Sequence, residues 1–518
     1  MVKVLWADDE IDLLKPYILF LEAKGYKVIP ATDGGEALDI LDKEAVDILF
    51  LDEHMPGIDG LETLTRVKNN FPSLPVIMIT KSEEENIMEQ AIGSKISDYL
   101  IKPVNPNQIL LTLKKHLYTQ KLVTQTRTMN YQQEFRDISM QINQGLDYEQ
   151  WISLYKQLVY WEIELSDNND QNIFQILKDQ KHEANQQFSK YYQKNYIDWI
   201  NDDGKSSPLM SHRVLQRKIF PLLKEKKRPV FLIVLDNFRF DQWRVLKPEI
   251  EKHLVVAKED IYYAILPTTT QYARNALFSS LLPVDIKQMY PQYWVDEDKE
   301  GNKNQYEYDL LTENLKRHRI KVSATYHKVL NATYGMRMVD ILPDFMQKNL
   351  NVIVYNFIDM LSHARTDSDL VRELAADENA YRGVTHTWYE HSPLKEVLKY
   401  LADKDVDVFI TTDHGSIKVD SPVRIKSDKG ASVNLRYKIG RLLDYTPKEV
   451  FGVKNSSEVK IPPLNIMSQM IFARASDFFV YPTEYNKYVQ YYMNTFQHGG
   501  ISMEECMIPL IHLVPKKQ

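Results

Sequence analysis

The sequence VFITTDHGS, residues 408–416, sets the expected fold of this chain. Its apolar first half predicts a buried strand, and the loop that follows begins with Asp413 and His414. In α/β folds the carboxyl ends of the strands carry the chemistry. An adjacent carboxylate and imidazole suit a divalent transition metal, zinc above all, although an Asp and a His at a strand end more often form a hydrogen-bonded turn. Three other strand ends in the same half of the chain have similar residues, which favours the metal site.

The length and composition of the chain bound its class. Its 518 residues exceed what one hydrophobic core usually serves, and 44% hydrophobic with 26% charged residues is ordinary for a soluble globular protein. No apolar run is long enough to cross a bilayer, and MVKVLWADDE does not resemble a signal peptide, so we expect no membrane insertion. The single cysteine, Cys506, excludes an internal disulfide. These features predict a cytoplasmic protein of two to four domains.

The net charge of −7 is unevenly distributed. Residues 1–118 hold 12 Lys and Arg against 20 Asp and Glu, whereas the two signs nearly balance in the remainder. Neither part has the positive excess of a DNA-binding output domain, and no helix-turn-helix pattern is evident.

The first 118 residues alternate between apolar strands and amphipathic helices. Strands are predicted at VKVLWA, VIPA, DILFLD, PVIMIT and SDYLI. Helices are predicted at 13–23, 35–41, 61–67, 86–92 and 108–117. This order fits one doubly wound, flavodoxin-like domain, the first part of an α/β multidomain chain.

Polar side chains stand at the carboxyl ends of these strands. Asp8 and Asp9 follow the first strand, Asp52 ends the third, Thr80 ends the fourth, and Lys102 follows the fifth. Three carboxylates at one crevice repel one another unless a cation joins them, and hard oxygen ligands suit Mg²⁺. A nucleophilic carboxylate, a metal ion and a lysine are the groups that an aspartate needs in order to accept a phosphoryl group.

Residues 1–118 resemble a response-regulator receiver domain. The resemblance is carried by Asp8-Asp9, Asp52 with the following Met55-Pro56-Gly57, Thr80, Tyr99 and Lys102-Pro103. It implies that a histidine kinase phosphorylates Asp52 while Mg²⁺ is bound by Asp8, Asp9 and Asp52. It also implies that Thr80, Tyr99 and Lys102 serve the conformational switch.

Residues 119–215 are predicted to form a helical-bundle connector. Gly is rare, and apolar residues recur at helical spacing in four segments, with breaks at 143–145, 167–170 and 201–208. We expect a leading helix followed by three more, with a core that contains Trp151, Tyr155, Trp161 and Trp199. The expected role of the bundle is mechanical, and a dimer contact is expected on it.

The remainder, residues 216–518, is predicted to form a second α/β domain. VFLIVL predicts a central parallel strand that ends at Asp236, and IYYAIL predicts a strand that leads to Thr268-Thr269-Thr270 before a helix. Hydroxyl groups at a helix start are commonly caps, but one of them can also serve as a nucleophile. NVIVY predicts a further strand, followed by Asp359 and His363 at helical spacing.

The polar groups at these strand ends divide into two zinc-like shells. One shell consists of Asp236, Asp413, His414 and the hydroxyl oxygen of Thr270. The other consists of Asp359, His363 and His498, which lies in a Gly-rich loop before the last strand. The second shell leaves a position for water or substrate, as catalytic zinc requires. Two zinc ions about 4 Å apart would clamp a phosphoryl group.

This half of the chain resembles the alkaline phosphatase superfamily and, within it, the PglZ domain. The resemblance is carried by LDNFRFDQW, PTTTQYARNALFSSLLP, FIDMLSHA, TTDHGS and HGGISMEE, with Ser280 where many members have Gly. It implies that Thr270 is the nucleophile, with Thr268 and Thr269 as alternatives. Arg274 and Asn275 are predicted to contact phosphate oxygens or, equally, the helix surface. An inserted cap is expected over about residues 417–497.

The three parts together resemble the PorX-type response regulators of the type IX secretion system. The resemblance implies a homodimer that forms on phosphorylation and a phosphodiesterase that acts on linear and cyclic oligonucleotides rather than on duplex DNA. It also implies a sigma factor and cytoplasmic parts of the secretion machinery as partners.

Three hypotheses for the output domain follow. In the first, Thr270 attacks phosphorus and water then hydrolyses the threonyl phosphate. In the second, the metal domain is a scaffold, and the output is phosphorylation-dependent docking to a transcription factor or to the secretion machinery. The third is a metal-dependent mutase that moves a phosphoryl group within a sugar acid.

Overall fold

The computed structural model describes residues 2–81, 96–166, 171–202, 207–225, 227–428, 430–464 and 468–516, and within these ranges the side chains of 118–126, 171, 367 and 369 are left out. Two compact units, Met1–Gln132 and Gln133–Gln518, make up the chain. The predicted domain boundaries at residues 118 and 215 stay predictions. Across the described ranges, no helix combines the length and apolar character that a membrane crossing needs.

The first unit contains a parallel five-stranded sheet in the order β2-β1-β3-β4-β5. Its strands are β1 Lys3–Ala7, β2 Lys27–Ala31, β3 Ile48–Asp52, β4 Val76–Thr80 and β5 Asp98–Ile101. The described α-helices of this unit are Lys15–Ala23, Gly34–Lys43 and Gly60–Asn70, and the helix Pro106–Asn143 begins in it and ends in the second unit. Asp33 and Asp59 begin the second and third of these helices by accepting hydrogen bonds from backbone N–H groups three residues ahead. The predicted flavodoxin-like fold is confirmed, and the predicted helix at 86–92 lies outside the described residues.

The helix Pro106–Asn143 is 38 residues long, whereas the sequence predicted a short helix at 108–117 and a separate one after it. After Pro106 the sequence has no Gly or Pro until Gly145, so nothing in the backbone chemistry interrupts the helix. Gly145 adopts a φ of 75°, a left-handed conformation that ends the helical path.

The second unit begins with the rest of the connector. Helices Tyr148–Glu164 and Gln171–Asn201 pack together, and the four predicted core aromatics are buried. The third predicted helix is broken into a 3₁₀ turn Ser211–Arg213, a π-helical turn Leu215–Ile219 and the α-helix Phe220–Glu225. The break precedes Pro221, which cannot donate the backbone hydrogen bond that a continuous helix requires.

A six-stranded sheet in the order β7-β20-β10-β6-β9-β8 forms the core of the second unit. Its strands are β6 Val230–Leu235, β7 Leu254–Tyr263, β8 Ala324–Val329, β9 Leu350–Tyr355, β10 Asp407–Thr411 and β20 Met507–Pro515. Strands β10, β6, β9 and β8 are parallel, and β20 runs antiparallel to β10 and β7. Because β6, β9 and β10 are parallel neighbours, their carboxyl ends meet at one edge of the sheet. The sequence did not predict β8, whose residues are mostly only partly buried.

The second unit contains further α-helices. They are Phe240–Ile250, Asn275–Ser279, Pro283–Met289, Glu307–Arg317, Ala332–Asp340, Leu342–Phe345, Phe357–Asp367, Asp369–Leu374, Glu378–Glu390, Pro393–Ala402 and Met503–Cys506. Further short helical turns are Ile11–Leu14 in the first unit and Thr270–Arg274, Pro291–Tyr293 and Ser456–Val459 in the second.

Between β10 and β20 the chain forms a group of small sheets. The strands are β11 Ile417–Lys418, β12 Ser421–Arg424, β13 Lys426–Ser427, β14 Tyr437–Gly440, β15 Leu443–Asp444, β16 Phe451–Val453, β17 Gln469–Phe472, β18 Asp477–Val480 and β19 Phe496–Gln497, with the helix Tyr485–Tyr492. β11 pairs with β19 at the base, so the segment leaves and rejoins the domain at one place. The cap was predicted over about residues 417–497, which is this segment, and its role as a cap stays a prediction.

Ser280 lies at the position where the resemblance led us to expect Gly. Its backbone adopts a left-handed conformation with φ 50° and ψ 38°, which residues other than Gly rarely take. Asn314 Nδ2 donates to Ser280 Oγ at 2.8 Å and to the Phe278 carbonyl at 2.8 Å. These hydrogen bonds help to offset the cost of that backbone conformation.

Candidate metal centres

The first candidate centre lies at the carboxyl ends of β1 and β3. One carboxylate oxygen from each of Asp8, Asp9 and Asp52 lies within 4.8 Å of the others. Lys102 Nζ lies 3.1 Å from Asp8 Oδ2 and 2.9 Å from Asp52 Oδ1. Asp8 and Asp52 are buried, and Asp9 is exposed. The predicted magnesium ligands and the predicted lysine therefore share one crevice.

The electrostatics of this crevice favour a cation. Burial raises the pKa of Asp52, and the nearby Asp8 carboxylate raises it further, against the influence of Lys102. Burial alone would lower the pKa of Lys102, but its contacts with Asp52 and Asp8 outweigh burial and raise that pKa. The lysine therefore stays charged beside the carboxylates.

The two other predicted switch residues lie on β4 and β5. The Thr80 hydroxyl donates to the carboxylate of Glu53, the residue after Asp52. Tyr99 is 40% exposed. Thr80 thus contacts the neighbour of the predicted phosphoacceptor, and the Tyr99 ring is available at the surface of this unit.

A second candidate centre is assembled in the second unit from the ends of β6 and β10. Asp236 follows β6, Asp413 and His414 follow β10, and all three are buried. His414 Nε2 lies 3.9 Å from Asp236 Oδ1 and 3.7 Å from Asp413 Oδ2. The Thr270 hydroxyl donates to Asp236 Oδ1 at 3.4 Å, and its oxygen is 3.1 Å from His414 Nε2. The four groups that the sequence assigned to one shell therefore adjoin one another.

The third candidate centre uses the helix after β9 and the loop before β20. Asp359 and His363 lie one turn apart on the helix Phe357–Asp367, with His363 Nε2 3.5 Å from Asp359 Oδ1. His498 Nε2 approaches the same Asp359 oxygen at 3.7 Å. The rings of His498 and His414 stack with centroids 4.3 Å apart. The second and third centres are thus immediate neighbours.

The orientation of two histidines suits metal binding. His414 Nδ1 lies 3.1 Å from the Gly415 carbonyl oxygen, and His498 Nδ1 lies 3.3 Å from the Thr268 carbonyl oxygen. A carbonyl accepts only from a protonated nitrogen, so in the neutral ring Nδ1 carries the proton and the Nε2 lone pair faces the carboxylates. Hydrogen bonding of the other nitrogen orients metal-binding histidines in the same way.

Burial and neighbouring charge perturb the groups of these centres. Burial raises the pKa of Asp236 well above its usual value, although Arg274 acts against this. Burial also acts to raise the pKa of Asp413, but His414 and Arg274 outweigh it and hold that pKa below its usual value. Burial lowers the pKa of His498 well below its usual value, and His414 lowers it further. Asp413 Oδ2 is buried with no hydrogen-bond partner among the described residues, and the guanidinium of Arg274 approaches it only to 3.6 Å, beyond hydrogen-bond distance.

The three threonines before the helical turn Thr270–Arg274 have different surroundings. Thr268 Oγ1 donates to the Gly500 carbonyl at 2.9 Å and accepts from Gly499 N at 3.0 Å. Thr269 Oγ1 is buried and has no hydrogen-bond partner among the described residues. Within the described part of the chain, the Thr270 hydroxyl is the only one of the three that contacts Asp236 and His414.

Arg274 and Asn275, the predicted phosphate contacts, are buried and directed at protein groups. Arg274 Nη1 lies 3.1 Å from Asp236 Oδ2, and its Nε lies 2.8 Å from Glu307 Oε1. Asn275 Nδ2 donates to the Lys303 carbonyl at 3.2 Å. A phosphate contact by either residue stays a prediction.

Three supporting residues were missed by sequence reasoning. Asn356 Nδ2 donates to Asp236 Oδ2 at 3.0 Å, and Asn237 Nδ2 lies 3.4 Å from Asp359 Oδ1. Both asparagines follow predicted strands, so the signal that found Asp236 was also present for them. Glu307, the partner of Arg274, comes from the helix Glu307–Arg317 and has no such local signal.

A further group of donors, Glu249, His386 and Glu390, lies outside these centres. Its two carboxylates already pair with lysines, Glu249 with Lys252 at 2.6 Å and Glu390 with Lys395 at 2.5 Å. These ion pairs account for the charge of that group.

Three family models match the chain. A response regulator receiver domain matches residues 4–114, and the PorX response regulator linker domain matches residues 121–200. The BREX system PglZ alkaline phosphatase-like domain matches residues 214–513, which is more than half of the chain. The chain belongs to the PglZ family and, within it, to the PorX-type response regulators.

Other proteins match a smaller part of this PorX-type regulator. Response regulator GtcR of Aneurinibacillus migulanus is 31% identical over 114 residues, which are 22% of this chain and 47% of GtcR. Transcriptional regulatory protein CpxR of Escherichia coli K12 is 36% identical over 116 residues, 22% of this chain and 48% of CpxR. The chain thus spans about half the length of these two relatives. A solved structure of the Vibrio cholerae chemotaxis protein CheY4 is 31% identical, covers 23% of this chain and 99% of its own, and has a TM-score of 0.22.

The predicted family and fold class are confirmed. This PorX-type regulator combines a flavodoxin-like receiver domain, a helical connector and a PglZ alkaline phosphatase-like α/β domain. Receiver domains are phosphorylated by histidine kinases, and receiver and alkaline phosphatase-like domains usually bind metal ions. The identity of the ions, the substrate and the partners belong to the proposal that follows.

Proposed function

We propose that the second unit is a zinc-dependent phosphodiesterase with Thr270 as its nucleophile. The observation that carries this proposal is the contact of the Thr270 hydroxyl with Asp236 and His414, beside a second His and Asp cluster. Asp236, Asp413 and His414 would hold one ion, and Asp359, His363 and His498 would hold the other. Nitrogen and carboxylate donors in sets of three suit catalytic zinc, which keeps a position for substrate or water.

The orientation and burial of these side chains suit the binding of cations. Two imidazoles present Nε2 to the clusters, and a buried Asp413 oxygen has no hydrogen-bond partner among the described residues. Burying several carboxylates together is unfavourable unless positive charge joins them. Arg274 supplies one such charge to Asp236 and Asp413, but it also pairs with Glu307, so three carboxylates share this guanidinium.

The chemistry follows from the position of Thr270. Bound divalent ions would neutralise charge on the phosphoryl oxygens and lower the pKa of a hydroxyl or water. Thr270 Oγ1 forms a bond to phosphorus while the bond from phosphorus to the leaving alkoxide breaks. The proton lost from Thr270 is taken up by the leaving alkoxide. Water then cleaves the threonyl phosphodiester that remains, which restores the Thr270 hydroxyl and releases a phosphomonoester.

Hydrolysis of bis(4-nitrophenyl) phosphate by zinc-loaded full-length protein tests this proposal. We expect Thr270→Val to reduce the rate by at least about 10³-fold, because it removes the nucleophile and keeps the side-chain shape. Thr269→Val is the matched control, since it removes a buried hydroxyl that has no hydrogen-bond partner among the described residues. Full activity of Thr270→Val, or no diester hydrolysis by zinc-loaded protein, would refute the phosphodiesterase. Activity confined to phosphate transfer within a sugar acid would point to a mutase.

We further propose linear and cyclic oligonucleotides as the substrates, rather than duplex DNA. The support is the PorX-type family together with a balance of charges after residue 118, which lacks the positive excess that duplex binding requires. Incubation with short single-stranded and cyclic oligonucleotides, followed by chromatography of the products, tests the substrate class. Cleavage of a non-nucleotide diester alone would contradict it.

For the first unit we propose that phosphorylation of Asp52, with Mg²⁺ at Asp8, Asp9 and Asp52, makes two copies of the chain pair through the face that carries Tyr99. The exposure of Tyr99 and the contact of Thr80 with Glu53 support this. Light scattering with and without beryllofluoride, a mimic of the phosphoryl group, measures the pairing. A mass that does not change on addition of the mimic would contradict it.

The proposed setting is the cytoplasm and the control of type IX secretion, with a sigma factor and cytoplasmic parts of the secretion machinery as partners. The match of residues 121–200 to the PorX linker domain supports this setting. A pull-down from cell extract compares the parent with Asp52→Asn and with Asp413→Ala/His414→Ala. Loss of partners in both variants supports coupling of catalysis to output. Loss only in Asp52→Asn would favour a docking scaffold in which the metal centres are not needed.

A further inference from the structure

A cavity of about 810 Å³ opens in the segment between β10 and β20. It is formed by β14, the residues before that strand, the residues after β18, and the helix Tyr485–Tyr492. Small-molecule sites commonly enclose about 300–1,000 Å³, so a mononucleotide would fit here.

Lys438 is the most deeply buried of the charged residues that line this cavity. It is only 2% exposed, and its Nζ donates to the Ser432 carbonyl at 2.8 Å. Burial alone lowers the pKa of Lys438 to about 8, and no carboxylate in the described part of the chain contributes to raise it. A buried ammonium group without an anion is unfavourable, so an anionic ligand would supply the missing partner.

Aromatic rings stand around the same cavity. Lys438 Nζ lies 5.1 Å from the centre of the Tyr481 ring, and the Tyr481 hydroxyl is 2.8 Å from Ser427 Oγ. Tyr488 and Tyr492 lie one helical turn apart with nearly parallel rings, 6.2 Å between centres and 13° between planes. Tyrosine faces of this kind stack on planar bases.

The other charged groups of the cavity are already paired. Asp428 Oδ1 accepts from the backbone N–H groups of Arg441 and Leu442 at 3.3 and 3.4 Å. Glu484 pairs with Lys487 at 3.2 Å, and Lys426 pairs with Asp444 at 3.3 Å. Lys438 is therefore the cation best placed to take a ligand phosphate.

The cavity and the metal centres lie on opposite faces of β14. Tyr437, the neighbour of Lys438, packs against Gly499 in the loop of His498. The contact is so close that a Cβ atom on Gly499 would lie only 2.8 Å from Tyr437 Cδ1. Neighbouring residues of a strand point to opposite faces, so Lys438 faces away from that loop.

We propose that this cavity is a binding site for a mononucleotide, separate from the metal centres, in which Lys438 holds the phosphate and the tyrosines stack on the base. The proposal does not depend on phosphodiesterase activity. Because β14 contacts both the ligand and the loop of His498, occupancy of the cavity can alter that loop.

Isothermal titration of the full-length chain with AMP tests the site. The Asp413→Asn background, in which a metal donor is weakened, separates this site from the metal centres. We expect AMP to bind in that background and Lys438→Met to weaken binding at least tenfold. Lys426→Met, which removes a charge from the exposed rim, is the matched control and is expected to change affinity less than twofold. Adenosine lacks the phosphate and inorganic phosphate lacks the base, so each is expected to bind at least tenfold more weakly than AMP.

Equal affinity of the parent and Lys438→Met for AMP would overturn the proposal, as would an absence of AMP binding in the Asp413→Asn background. If phenyl phosphate binds as tightly as AMP, the ligand is an aryl phosphate of another kind and the nucleotide assignment fails. Tyr488→Ala provides a second variant on a partly exposed helix, should Lys438→Met not fold. It is expected to weaken AMP at least threefold and to leave phosphate binding unchanged, and equal weakening of both ligands would contradict the stacking role.

Discussion

Asn185 and Glu504 are joined by a buried hydrogen bond, from Asn185 Nδ2 to Glu504 Oε2 at 3.0 Å. The other end of the same amide, Asn185 Oδ1, accepts from Met503 N at 2.7 Å. One turn along the connector helix, Ser189 Oγ donates to the Ile501 carbonyl at 2.9 Å. The helix Gln171–Asn201 thus holds the backbone that directly follows His498. The connector is therefore part of the framework of the third candidate centre and not only a spacer.

Replacing Asn185 by Leu is expected to loosen this loop. The change leaves Met503 N without its acceptor and Glu504 with one donor fewer, and each buried polar group left unpaired costs about 1–3 kcal/mol. We expect a lower melting temperature and a lower zinc content, measured by elemental analysis after dialysis. Gln186→Ala, on the exposed side of the same helix, serves as the control and is expected to change neither value. A normal zinc content in Asn185→Leu would show that the loop does not need this contact.

Removing metal ions is expected to destabilise the second unit. Without metal ions, Asp236, Asp413 and Asp359 repel one another, and Arg274 offsets only part of the unfavourable burial of these charges. A ligand at 100 times its Kd stabilises the folded state by about 2.7 kcal/mol, so a chelator is expected to lower the melting temperature by several degrees. Asp413→Asn should show a smaller shift on chelation than the parent. Identical melting curves with and without chelator would contradict the metal assignment.

His212 is expected to make the second unit sensitive to acid. Burial, with help from Arg213 and Arg217, lowers the pKa of His212 to about 3 in the folded state, against about 6.5 in an unfolded chain. Below pH 6.5 the unfolded chain therefore binds a proton that the folded chain does not, and stability falls as the pH falls. The loss is about 1.4 kcal/mol per pH unit, or about 2 kcal/mol between pH 6.5 and pH 5.

Urea unfolding at pH 7.5 and pH 5 measures this contribution. His212→Gln, which cannot be protonated, is expected to lose about 2 kcal/mol less than the parent between the two values. Other titrating groups affect both proteins alike, so the difference isolates His212. Equal losses in the two proteins would show that His212 does not resist protonation in the fold.

Asp52 is expected to be labelled by a small phosphodonor. Incubation with acetyl phosphate and Mg²⁺, followed by electrophoresis that resolves phosphorylated protein, is expected to show a slower band in the parent. Asp52→Asn removes the acceptor and should abolish the band, and Asp9→Asn should weaken it because Asp9 offers one of the three carboxylates to the ion. Asp47→Asn, at a carboxylate that accepts from Lys3 N at the end of β1 opposite to Asp8, is the control. Labelling of Asp52→Asn would place the acceptor elsewhere.

Sequence patterns identified strand-end residues that the structure brings together, because each of them carries a local signal, while their role as metal donors stays a prediction. An apolar strand followed at once by Asp or His identifies Asp236, Asp413 and His414, and parallel order then brings their ends together. The predicted end of the last receiver helix at residue 117 was wrong, because the change of composition at the expected domain boundary does not interrupt a helix and the sequence has no Gly or Pro until Gly145.

The sequence by itself determined the order of the domains and the types of donor, since both are written in short runs of residues. Only the tertiary structure decided that Thr270 rather than Thr268 adjoins Asp236, that Glu307 pairs with Arg274, and that Asn185 holds the loop of His498. The physical reason is distance along the chain. A contact across 34 or 318 positions depends on how the whole sheet and its helices pack, and no local pattern encodes that packing.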